Sequence, residues 1–219
     1  AEYVETGHLI YTDGGALCNS RTEDLTSDYT VSFTVTAPGS YYIDVSTSRM
    51  GELDVDYDGP VSVADIDVAG FVATGELAGQ EADVLAAMVA ALNDEFAGLG
   101  VAFTDEQPQI GDFSTIYIGG NGAAFSQYGT YYGLSEKVDH GNQDHTDIAF
   151  VFTDNISDAG LSAEQYGLAL AGYVGHEAGH LLGLEHAHTI GASTDPLAEV
   201  AFKPYTHVET ARDVRADIM

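Results

Sequence analysis

One segment, His176-Glu177-Ala178-Gly179-His180-Leu181-Leu182-Gly183-Leu184-Glu185-His186, constrains the local fold more tightly than any other part of the chain. On an α-helix, His176 and His180 stand one turn apart on one face, so both imidazoles can reach a single metal ion. Glu177 sits beside them, placed to act as general base toward water activated by that ion. A continued helix would put His186 about 240° around from His180 and about 9 Å further along, out of reach of the same ion. The helix must therefore stop between them. Gly183 can end it, because glycine takes the positive φ that turns the chain back. A bare HExxH arises by chance in many helices. Gly183 and His186 fix two further positions, and the spacing predicts a zinc site with His176, His180 and His186 as ligands.

Charge narrows the partners. Acidic residues number 35 against 6 basic ones, a formal charge of −29. Such a surface repels nucleic acid and anionic membranes, which excludes both as partners. The same excess of acid suits a protein kept soluble in a saline habitat, a calcium binder, or an acidic secreted protein. With lysine and arginine scarce, few acids can be paired, and self-repulsion should weaken the fold at low salt. Hydrophobic residues make up 45% of the 219-residue chain, enough for a sizeable core and against disorder throughout. The only cysteine, Cys18, excludes an intrachain disulfide, and no run of 18 apolar residues is present. The N-terminus carries no secretory signal, which fits a secreted protein whose signal has been removed and fits a cytoplasmic protein too; a monomer is expected.

Periodicity divides the chain into 1–49 and 50–219. The first part reads as a β-rich segment, a pro-segment or accessory module. In it Tyr29–Thr36 and Tyr41–Val45 alternate on either side of Pro38-Gly39 as a hairpin would. In the second part Leu53, Val55 and Tyr57 alternate with acids and read as the first strand of a sheet. Glu81 to Phe96 reads as a helix, with Val84, Leu85, Met88, Val89 and Leu92 as its apolar stripe and Gly98 and Gly100 behind it. Strands follow at Val101–Phe103, Thr115–Ile118, Tyr132–Val138 as sheet edge, and Ile148–Phe152. Ser162, with Glu164 and Gln165 in the first turn, caps the helix that bears the histidines.

The wording HEAGHLLGLEH resembles the zinc motif of the metzincin endopeptidases, and among them the matrixins and matrixin-like bacterial or archaeal proteases. The resemblance covers roughly residues 50 to 219. It implies an α+β fold, a twisted mixed sheet of about five strands with two long helices. It also implies a zinc-dependent endopeptidase acting on protein or peptide substrates that pair with the edge strand. Secretion is then the expectation, because unregulated endopeptidases are usually kept outside. Met219 takes the place of the methionine turn beneath the zinc; the family continues past this residue to build the outer wall of the S1′ pocket, so the resemblance implies either a truncated or proteolysed form or a chain without that wall. In matrixin pro-segments a cysteine occupies the fourth zinc position. Cys18 is a candidate for that latency role, although Leu17-Cys18-Asn19-Ser20-Arg21 shares only the cysteine, and a small buried hydrophobe is the other reading.

Asp139, His140, Asp144, His145 and Asp147 crowd one loop, a candidate second metal site with calcium ahead of zinc, or a polar surface loop. Asp54-x-Asp56-x-Asp58-Gly59 imitates a calcium loop but reads as a strand with a solvated acidic face. Beside the endopeptidase stands a latent or inactive zinc-binding form, its cleft blocked by the N-terminal segment or incomplete at the C-terminus. Two further readings are a binding module built on the N-terminal hairpin and a peptidase whose third ligand is Glu199.

Overall fold

The computed structural model describes residues 2–15, 19–34, 39–56, 60–139 and 141–183. In chain order its strands and long helices are β1 (Glu2–Gly15), β2 (Asn19–Thr34), β3 (Gly39–Asp44), β4 (Ser48–Asp56), β5 (Pro60–Val68), α1 (Glu81–Glu95), β6 (Val101–Thr104), β7 (Ser114–Ile118), β8 (Gly133–Ser135), β9 (Ile148–Val151) and α2 (Ala163–Leu181). β3, β6, β7, β8 and β9 form one mixed sheet in the order β6-β3-β7-β9-β8. All its neighbours run parallel except β8, which lies antiparallel to β9 at the edge. Among the described residues this is an α+β fold with a five-stranded mixed sheet and two long helices, consistent with the expected fold class.

The first strand of that sheet is not the predicted one. Gly39–Asp44 lies between β6 and β7, whereas Leu53 and Val55 belong to β4, which pairs only with β5 in a separate two-stranded unit. Both strands bury one face. In β3, Tyr41 and Ile43 are buried while Ser40 is exposed, and in β4, Val55 is buried while Glu52 and Asp54 are exposed. The buried face of β3 packs with the helix-side core and that of β4 with the other one. The predicted hairpin between Tyr29–Thr36 and Tyr41–Val45 is likewise replaced: β2 pairs with β1. Residues 39–44 thus belong with the central sheet and not with the segment before it.

Alternation along the strands builds two cores. Tyr41, Ile43, Ile116, Ile118, Ala149 and Val151 face the helices and pack with Val84, Met88, Leu92, Leu170 and Val174. Leu134, Phe150 and Phe152 face the other way, against Val55, Val63, Ile66 and Val68 of the β4–β5 hairpin. Each fully buried Val, Leu, Ile, Phe or Met among them contributes roughly 1.5–3 kcal/mol. In α1 the predicted stripe is the buried one, with Val84, Met88 and Leu92 nearly inaccessible. Gly167 lets the two helices approach closely, since a Cβ there would fall 2.7 Å from Ala87 Cβ. Among the described residues no helix is long and apolar enough to cross a membrane.

Candidate metal centre

Helix α2 begins where the sequence predicts. Ser162 Oγ accepts from Gln165 N at 3.2 Å, and Gln165 Oε1 accepts from Ser162 N at 3.0 Å, a complete capping box. The helix ends at Leu181; Leu182 caps it and Gly183 follows at φ 98°, with its N–H donating to His180 O at 2.9 Å. The positive φ expected of Gly183 is therefore present, and it turns the chain one residue after the cap.

In the last two turns of α2 the Nε2 atoms of His176 and His180 are 3.1 Å apart, with the rings perpendicular. Two nitrogens each about 2.0–2.1 Å from one ion at a tetrahedral angle are about 3.3 Å apart. The pair therefore fits two ligands of a single tetrahedral zinc. His180 and Glu177 are buried, at 2% and 3% exposure, and His176 is half-buried. Desolvation of this kind strengthens electrostatic interactions between the site and a bound cation. His186, Met219, Cys18 and Glu199 lie outside the described residues, as does His140.

Glu177 meets the edge strand. Ser135 Oγ lies 2.6 Å from Glu177 Oε2 and 3.1 Å from Glu177 O, and Ser135 is fully buried. Strand β8 is shorter than the predicted Tyr132–Val138, with only Gly133–Ser135 in strand conformation. Its pleat sends Leu134 to the hairpin-side core and leaves Gly133 and Ser135 facing α2. Neither Gly133 nor Ser135 stood out in the sequence, and 42 residues separate Ser135 from Glu177.

The loop after β8 is tied to the same helix end: Asp139 N donates to His180 O at 3.0 Å. Its acids are engaged internally. Asp144 pairs with Lys137 and accepts from Thr146 N and Oγ1 at 2.9 and 2.7 Å, which holds its carboxyl at about 2, Lys137 being the main cause. Asp139 Oδ2 accepts from Asp144 N at 2.8 Å, and the His145 ring bonds to Asn142 O at 3.0 Å. Among the described residues no group of three or more His, Cys, Asp or Glu side chains converges as a metal site. Asp139, Asp144, His145 and Asp147 share the loop, and His140, the fifth member of the candidate set, lies outside the described residues.

Asp147 is the exception to this pairing. It is 1% exposed, and neither carboxylate oxygen has a well-aligned partner. Burial pushes its pKa up to about 7, the nearby Ser114 hydroxyl and Lys137 offsetting only part of the effect. Beside it the buried Tyr41 hydroxyl is also unpartnered, and its pKa is raised by burial and by the charges of Asp147 and Asp139. A carboxyl that ionises later in the folded chain than in the unfolded one stabilises the fold while protonated. Its contribution is complete below the ordinary aspartate range and is lost as pH rises toward and through about 7. Relative to wild type, Asp147→Asn should therefore gain on the order of a few kcal/mol between pH 4 and pH 8. Denaturant unfolding of both proteins across that range, at fixed high salt, reads the difference; a difference constant with pH would show that the pKa of Asp147 is the same in the folded and unfolded chain.

Compared with family models, with curated proteins and with solved structures, the chain matches none.

Proposed function

We propose that this chain is a secreted zinc-dependent endopeptidase of the metzincin type, similar to the matrixin-like bacterial and archaeal enzymes. The observation that carries the reading is the convergence of His176 and His180 Nε2 at tetrahedral-ligand spacing, with Glu177 between them on one helix and against the sheet edge. His186, three residues beyond the turn at Gly183, would complete the ligand set. When bound, zinc supplies a Lewis acid that polarises a carbonyl and makes water nucleophilic at neutral pH.

The chain's own groups do the rest. Glu177 takes the proton from the attacking water and passes it to the leaving amine, so the carboxylate is restored after each turnover. β8, antiparallel and at the sheet edge, offers backbone groups to an extended peptide, which would dock as an added strand. Recognition through backbone hydrogen bonds would make the substrate an unfolded or loop segment of protein, with selectivity left to side pockets. The acidic surface, at −29, would favour substrates that are not themselves strongly acidic.

The test is cleavage of a quenched extended peptide by the purified chain, repeated after chelation and after return of zinc. Cleavage that disappears with chelator and returns with zinc is expected. Cleavage indifferent to chelator, or none with stoichiometric zinc bound, would overturn the reading.

A further inference from the structure

The side chain of Glu177 is confined by two residues of β8 that no motif marks. Ser135 Oγ stands 2.6 Å from its Oε2, the length of a hydroxyl donating to an ionised carboxylate. Gly133 occupies the other side. A Cβ at that position would fall 2.8 Å from Glu177 Cγ and Cδ and closer still to Oε1, so the carboxylate fills the volume that any other residue would need. Ser135 and Glu177 are both buried, at 0% and 3% exposure, which keeps water from competing for the bond. One wall therefore admits the carboxylate and one donor fixes its rotation.

We propose that β8 is the positioning element for Glu177, with Ser135 orienting the carboxylate by hydrogen bond and Gly133 admitting it by lacking a side chain. The inference rests on Glu177 being the general base described above. A terminal carboxylate torsion is broad and softly restrained on its own, so a buried donor decides which way the two oxygens point. Proton transfer demands hydrogen-bond reach, and displacement of about 1 Å can cost on the order of a hundredfold in rate. The strand that would receive the substrate thus also sets the base, which couples docking surface and chemistry through two alternate residues of one short strand.

The decisive comparison is Ser135→Thr with Ser135→Val. Both add the same bulk at a fully buried position and so disturb packing alike, but only threonine keeps the hydroxyl. Zinc per chain, thermal midpoint and kcat and KM on a quenched peptide are measured for each. The expected result is equal zinc, a lower midpoint for valine because it removes a buried donor, similar KM, and a kcat at least about tenfold higher for threonine. Equal kcat for the two variants would overturn the proposal. A second readout does not depend on turnover. Crystal structures of zinc-loaded wild type, Ser135→Val and Gly133→Ala should show the Glu177 carboxylate in one orientation in wild type and displaced in both variants. An unmoved carboxylate in Ser135→Val would overturn the proposal whatever the kinetics. If wild type binds zinc but cleaves nothing, the endopeptidase reading falls, while the carboxylate positions still decide the role of β8.

Discussion

Glu177→Ala should lose peptide turnover by on the order of a hundredfold or more while keeping its zinc. The expectation follows from geometry. His176 and His180 approach each other through ring nitrogens, and Glu177 is turned toward Ser135 of the edge strand, so on the proposed reading its removal takes away a proton carrier and not a ligand. Because Glu177 is buried against Gly133, alanine also leaves a cavity, and Glu177→Gln is the better-matched control. It keeps the volume and an acceptor for Ser135 but cannot take a proton. Both variants should bind one zinc per chain and fall together in kcat. Near wild-type turnover in the glutamine variant would mean that another group moves the proton.

On the proposed reading, His180→Ala should lower zinc affinity by more than the 10- to 100-fold that loss of an outer-shell partner costs, because it removes one of the three proposed ligands outright. Zinc retained after dialysis against a graded series of chelators reads this directly. His186→Ala should behave in the same way. Its side chain lies outside the described residues, so this variant tests the part of the ligand set that rests on spacing alone. Wild-type retention in His186→Ala would move the third ligand elsewhere, with Glu199 the first alternative. Retention in His180→Ala would be more damaging, since the 3.1 Å approach of the two Nε2 atoms would then be a hydrogen bond with no ion between its partners.

Local signals were the legible ones. The capping box at Ser162 and Gln165, the apolar stripe of α1 and the turn at Gly183 all depend on residues within a few positions of each other, and all three stand where the sequence puts them. The first sheet strand was not legible, because alternation alone cannot tell an inner strand from an outer one. Leu53 and Val55 among acids make a sharper pattern than Tyr41-Tyr42-Ile43, yet both strands bury one face, and the pattern does not say which sheet that face belongs to. At the candidate site, the helical pair was legible from its four-residue spacing. The contribution of β8 was not, since Ser135 and Gly133 carry no signal until the sheet edge is folded against α2. Nor does an acidic loop announce which of its members is buried. Asp144 is paired at the surface and Asp147 is enclosed without a well-aligned partner, three residues apart in one polar run.

X-ray absorption at the zinc edge, on chain equilibrated with zinc and dialysed, tests the central claim most directly. One zinc per chain with a first shell of nitrogen and oxygen at about 2.0–2.1 Å, and the outer-shell scattering of imidazole, is the predicted result. Absence of stoichiometric zinc, or a zinc whose shell contains no imidazole, would contradict the account.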